Sequence, residues 1–96
     1  MDEFEVDVAR VGATAAAASA CAGRIEAEVG AMTGHLAELE RGWQGSAATA
    51  FGQVAERWRA TQHRVVADLR TVAAVLAATG RRYADAEDEA VRRMRQ

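Results

Sequence analysis

The chain has 96 residues, half of them hydrophobic, only 5% aromatic and none proline. That length argues for one domain, and the absence of proline removes the strongest helix breaker. With 12 basic against 14 acidic residues the formal net charge is −2, so the chain as a whole offers no cationic footprint for nucleic acid.

The N-terminal stretch MDEFEVDVAR is acidic where a secretory signal peptide needs a basic region, and no apolar run comes after it. The longest uncharged stretch, from Val11 to Gly23, is mostly alanine, glycine, serine and threonine. It is too short and too weakly apolar to cross a bilayer. The chain is therefore expected to be soluble as made, without stable membrane insertion.

From Phe4 the apolar residues fall at Val8, Val11, Ala15, Ala18, Ala22, Ile25, Val29, Met32, Leu36 and Leu39, in steps that alternate three and four after the first. This is a heptad stripe, and it predicts one helix over about residues 4–41. Beside it Ala9, Ala16, Gly23, Gly30 and Ala37 repeat every seven positions. Residues this small would let a second helix approach the backbone, a use that would explain two glycines otherwise unfavourable in a helix. Cys21, alone in the chain, reads as a small helical residue; one cysteine makes neither an intrachain disulfide nor a zinc site.

A turn is expected over 42–45. Gly42 comes after Arg41 where a left-handed residue closes a helix, Trp43 and Gly45 come next, and Ser46 is a good N-cap for a second helix. That helix, about 46–80, carries Phe51, Val54, Trp58, Val65, Leu69, Val72 and Leu76 on one broad face, which Tyr83 continues. If Thr61 is counted, two steps of four meet at Val65, so the heptad register shifts there. Gly80 is a soft spot, costing about 1 kcal/mol against alanine, and a tail of residues 81–96 begins after it.

The expected fold is all-α, an antiparallel helix-turn-helix hairpin. A single seam between two alanine-rich helices buries too little apolar surface to offset the entropy of ordering them. Two hairpins are therefore expected to pair into a four-helix bundle. The dimer seam would be built from Val8, Val11, Ile25, Val29, Met32, Leu36 and Leu39 with Phe51, Val54, Trp58, Val65, Leu69, Val72 and Leu76.

Two periodic helices around a central WQG turn resemble the WXG-motif family, the small ESAT-like and culture-filtrate-protein-like substrates of type VII (ESX) secretion. The tail GRRYADAEDEAVRRM strengthens the resemblance. Signal-bearing members of that family carry a Tyr-x-x-x-[Asp/Glu] core after the second helix, within a longer hydrophobic pattern. Tyr83 and Glu87 match the core, and Ala90 and Met94 fall at the next two positions, alanine being a thin match. On a helix these four lie within about 60° of one another. Asp88 with Arg92 and Glu89 with Arg93 are i,i+4 pairs in the favourable orientation. Without the turn motif, Tyr83 would equally well continue the seam from Leu76 and Thr79.

The resemblance implies recognition, not catalysis: a folded dimer, cytoplasmic before export and secreted without a cleaved signal peptide. Its tail would be read by an FtsK/SpoIIIE-type ATPase. The partner would be a second copy or another small WXG protein, and both remain open. In the family the tryptophan also lies beside the partner's tail. A hairpin's turn and termini are at opposite ends, so such a meeting requires antiparallel pairing. The chief alternative is a cytosolic coiled-coil adaptor with no export role. The two histidines, His35 and His63, sit one on each helix without an inward set of carboxylates. No phosphate loop or nucleophilic grouping is present, so no enzyme activity, metal or cofactor is expected. Arg81, Arg82, Arg92, Arg93 and Arg95 interleave with carboxylates and lack stacking aromatics, so no nucleic-acid partner is expected.

Overall fold

The computed structural model describes residues 3–95, with side-chain surroundings from residue 8 onward. Phe4, at the head of the apolar stripe, lies outside those described side chains. Two helices make up the fold, α1 over Glu3–Glu40 and α2 over Gly45–Arg95. Among the described residues there is no strand, and the chain is an all-α helical hairpin.

The end of α1 differs from the expected cap. The Arg41 N–H donates to the Ala37 carbonyl at 3.3 Å, the Gly42 N–H to Leu39 at 3.2 Å and the Trp43 N–H to Glu40 at 3.1 Å. These last two bonds span three residues, so the helix closes by tightening its final turn. Its terminal carbonyls are thereby satisfied without a left-handed residue at Gly42. Among the described residues, the positive φ belongs to Gly45 alone, at 74°. The reversal is thus made three residues later than the cap pattern predicts, and α2 begins at Gly45 instead of after Ser46.

The helix α2 also runs past its expected end. Gly80 does not interrupt it, and the segment expected as a separate tail is helical to Arg95. Several local features offset the glycine. The Thr79 hydroxyl donates to the Val75 carbonyl at 2.8 Å, which satisfies a threonine inside a helix. A Cβ built on Gly80 would lie 3.4 Å from Cγ1 of Val11, so α1 packs closely there. Farther on, Arg93 pairs with Glu89 at 3.0 Å, and Arg92, Arg93 and Arg95 place positive charge at the negative end of the helix dipole.

The chain divides into two compact units, one combining residues 1–20 with 69–96, the other spanning 21–68. In the first, Ala15 and Ala18 are buried and Val11 faces Gly80. In the second, Ala22 is fully buried, with Ala55 and Val66 nearly so, and Glu40 lies beside Gly52. Alanine supplies most of the buried residues of both units, and residues this small allow two helices to pack closely.

The broad apolar face of α2 resolves into two rows. Ala55 and Val66 point inward, whereas Val54 and Val65, one position earlier, are exposed at 52% and 38%. Neighbouring residues on a helix are about 100° apart, so one face cannot hold both. The inner row runs through Phe51, Ala55, Trp58, Gln62, Val66 and Leu69, all buried or half-buried. Its two successive steps of four come at Gln62 and Val66.

Candidate recognition surfaces: turn, open face and tail

At the turn, the rings of Trp43 and Phe51 meet with centroids 4.8 Å apart and planes tilted by 58°. A pair of this kind contributes about 0.5–1.5 kcal/mol beyond its buried area. Trp43 nevertheless stays 41% exposed. Phe51 comes one and a half turns into α2, so the left-handed Gly45 between them aims the indole back over the new helix. The turn leaves one face of Trp43 braced and another presented to solvent.

The residues expected to form a dimer seam fall into two groups. Val8, Val11, Ile25, Val29, Leu36, Phe51, Trp58, Leu69 and Leu76 are half-buried, already partly used inside the hairpin. Met32, Leu39, Val54, Val65 and Val72 are exposed. Within the unit spanning 21–68, Met32, Leu36, Phe51, Val54, Ala55 and Trp58 line an apolar groove. A second depression adds Cys21, Arg24, Ile25, Glu28, Val29 and Gln62 to Met32 and Trp58. Large apolar side chains grouped at a surface mark an interaction site. Val75, at 58% exposure, belongs with the outward residues of the other unit and lies off the predicted stripe.

Among the described residues the small-residue repeat is left uncovered. Ala9, Ala16, Gly23, Gly30 and Ala37 are exposed, and a Cβ on Gly23 or Gly30 would meet nothing within 4 Å. Both histidines are exposed as well.

In the tail the four motif positions share one side of α2 but not one environment. Tyr83 and Glu87 are half-buried, as is Ala84 between them. Ala90 is exposed and Met94 is 86% exposed. One carboxylate oxygen of Glu87, Oε1, is shielded from solvent and has no hydrogen-bond partner among the described residues. Val91, outside the motif, is also exposed. The row Leu76, Gly80, Tyr83, Glu87 is the inner row of α2 carried onward, and it loses its cover only beyond Glu87.

Helical spacing locates the tail face, but it does not separate inner from outer valines. Ala55 and Val66 emerge once the stem of Gln62 counts as apolar, which completes an inner heptad from Phe51 to Leu69.

No helix among the described residues is long and apolar enough to cross a membrane. The family model for WXG100, described as proteins of 100 residues with WXG, matches residues 3–88. The match takes in the turn together with Tyr83 and Glu87, and stops short of Ala90 and Met94. No curated protein and no solved structure matches the chain.

Proposed function

This chain belongs to the WXG100 family, whose members are small helical substrates of type VII secretion, and from that premise we propose that it is exported as a folded dimer. The export signal is the tail face of Tyr83, Glu87, Ala90 and Met94, read by an FtsK/SpoIIIE-type ATPase at the membrane. On this reading the chain is of the signal-bearing, culture-filtrate-protein-like kind. The observation that carries this proposal is the family match over residues 3–88, which joins a WQG turn and a Tyr-x-x-x-Glu core in one hairpin.

Dimer formation uses the exposed row Met32, Leu39, Val54, Val65 and Val72, with the half-buried seam residues beneath it. The apolar area these leave in water supports a partner, either a second copy or another small WXG protein. Paired antiparallel, each hairpin brings its tail to the other's Trp43. The turn residues Gly42, Trp43 and Gly45 then serve as the support on which a tail is presented. Before export the dimer is cytoplasmic, and it leaves without cleavage of a signal peptide.

The test is export from the source cell of the wild type and Tyr83→Ala, with cytosolic level, helicity and dimer mass measured for both. Retention of a well-folded, dimeric variant is the expected result. Equal amounts of both in the medium would sink the signal assignment.

One observation favours a second reading. Tyr83 and Glu87 are half-buried and continue the inner row from Leu76, as they would in a cytosolic coiled-coil adaptor with no export role. That adaptor would leave neither form of the protein in the medium.

A further inference from the structure

We propose that the open apolar face of the hairpin is covered by a different chain and not by a second copy, and that this partner is a helical protein whose own apolar row is edged by carboxylates. The inference rests on the reading of that face as a dimer interface, and it names which partner fits.

The surface left in water sets the size of the partner. The chain exposes 7234 Å², whereas a folded monomer of 10.2 kDa exposes about 5,300 Å². The excess, about 1,900 Å², is what one chain gives up in a large permanent interface. Among the described residues no large side chain is fully buried, while Met32, Leu39, Val54, Val65, Val72 and Val75 are exposed. A small ligand does not cover such a surface, but helices of similar length do.

Charge decides whose helices they are. On α2, Arg57, Arg64 and Arg82 lie about 60–80° to one side of Val54 and Val72, and all three are exposed. Along that edge, from Gln53 to Arg82, the one acid is Asp68. The ion pairs described on α2 join Arg59 with Glu56 and Arg93 with Glu89, and Arg64 meets the Thr61 hydroxyl at 3.5 Å. The edge therefore keeps its positive charge, although the chain as a whole carries −2. On α1 the flank of Met32 carries Arg24 and Glu28, which line a depression with it and balance each other.

Two copies meeting through this face would do so on a two-fold axis, each contributing the same surface. With the axis across the helices, α2 lies on its counterpart, and arginine edge lies beside arginine edge at every register. With the axis along the helices, that edge lies beside the flank of α1, where Arg24 and Glu28 cancel. Neither arrangement supplies carboxylates for Arg57, Arg64 and Arg82, and the first sets like charges together, which weakens association. A partner with Asp or Glu flanking its apolar row supplies them, two of these acids standing seven residues apart to meet Arg57 and Arg64.

The probe for an acidic-edged partner is the chain itself with its edge reversed, Arg57→Glu/Arg64→Glu/Arg82→Glu. Full-length wild type and triple variant are measured alone and mixed, by circular dichroism, sedimentation equilibrium and native mass spectrometry, which tells the mixed dimer from either homodimer by mass. The mixed dimer is expected to form about tenfold more tightly than either homodimer at low salt. That advantage should fade as added salt screens the edge. Arg64→Glu alone, mixed with wild type, should act in the same direction by a smaller factor, and it decides the question where the triple variant does not fold.

A wild-type homodimer as tight as the mixed dimer overturns the inference and makes a second copy the occupant, with the dimer reading intact. So does a mixed-dimer advantage that does not respond to salt, since the edge would then not be its source. If wild type, variant and mixture all remain helical monomers, the dimer reading itself fails, and this inference with it.

Discussion

Gly42 and Gly45 are chemically identical and three positions apart, yet their substitution should have opposite signs. Gly45 has φ 74°, where a Cβ costs about 1–2 kcal/mol in L-residues. Gly45→Ala should therefore lower the stability of the hairpin by about 1 kcal/mol. At Gly42 an added Cβ makes only ordinary contact, 3.7 Å from the Leu39 carbonyl oxygen. Gly42→Ala should be neutral or stabilising by up to about 1 kcal/mol, through the entropy of the unfolded chain. Urea titrations of the two proteins, monitored by circular dichroism, check both signs. A cap pattern in the sequence identifies glycines near a helix end, but the choice between them depends on how the last carbonyls are satisfied. Here the three-residue bonds from Gly42 and Trp43 do so, and no sequence rule decides that alternative.

At the scale of the element, α1 was legible as one helix, because each apolar step of its heptad stripe independently reports helical spacing, although Met32 and Leu39 on that stripe are exposed. The helix α2 was legible in existence but not in phase. Its valines at 54, 65 and 72 form one plausible row and Ala55, Val66 and Leu69 another, and hydrophobicity alone favours the valines. The structure reverses the choice: Ala55 and Val66 are buried, whereas Val54, Val65 and Val72 stay exposed. Ala22→Val, which enlarges a fully buried site, should then cost about 1–3 kcal/mol by overpacking, measured as a fall in the unfolding midpoint. Val54→Ala, on the exposed row, should leave the stability of an isolated hairpin within about 0.5 kcal/mol.

At the scale of the whole molecule, the seven-residue repeat becomes a test of pairing. Gly23 and Gly30 face open space within the chain, so alanine at each should raise helix stability by about 0.5–1 kcal/mol. If a partner's helix packs against these positions, the double variant Gly23→Ala/Gly30→Ala should also weaken association, while Val65→Asp should abolish it and leave the helices intact. Sedimentation equilibrium separates the effects, since only the association constant responds to a lost partner contact. A dimer further predicts an unfolding temperature that rises with protein concentration, because the partner binds the native state alone.

The sequence by itself determined the helical class, the place of the turn and the family to which the chain belongs. These arise from periodicity and from short motifs, which are local properties that survive without knowledge of distance. Only the tertiary structure decided which glycine carries the reversal, which of two adjacent rows is buried, and that Tyr83 and Glu87 are half-buried while Ala90 and Met94 lie in water. Each of these depends on how closely and in what register two distant segments meet. No single segment of the sequence contains that register.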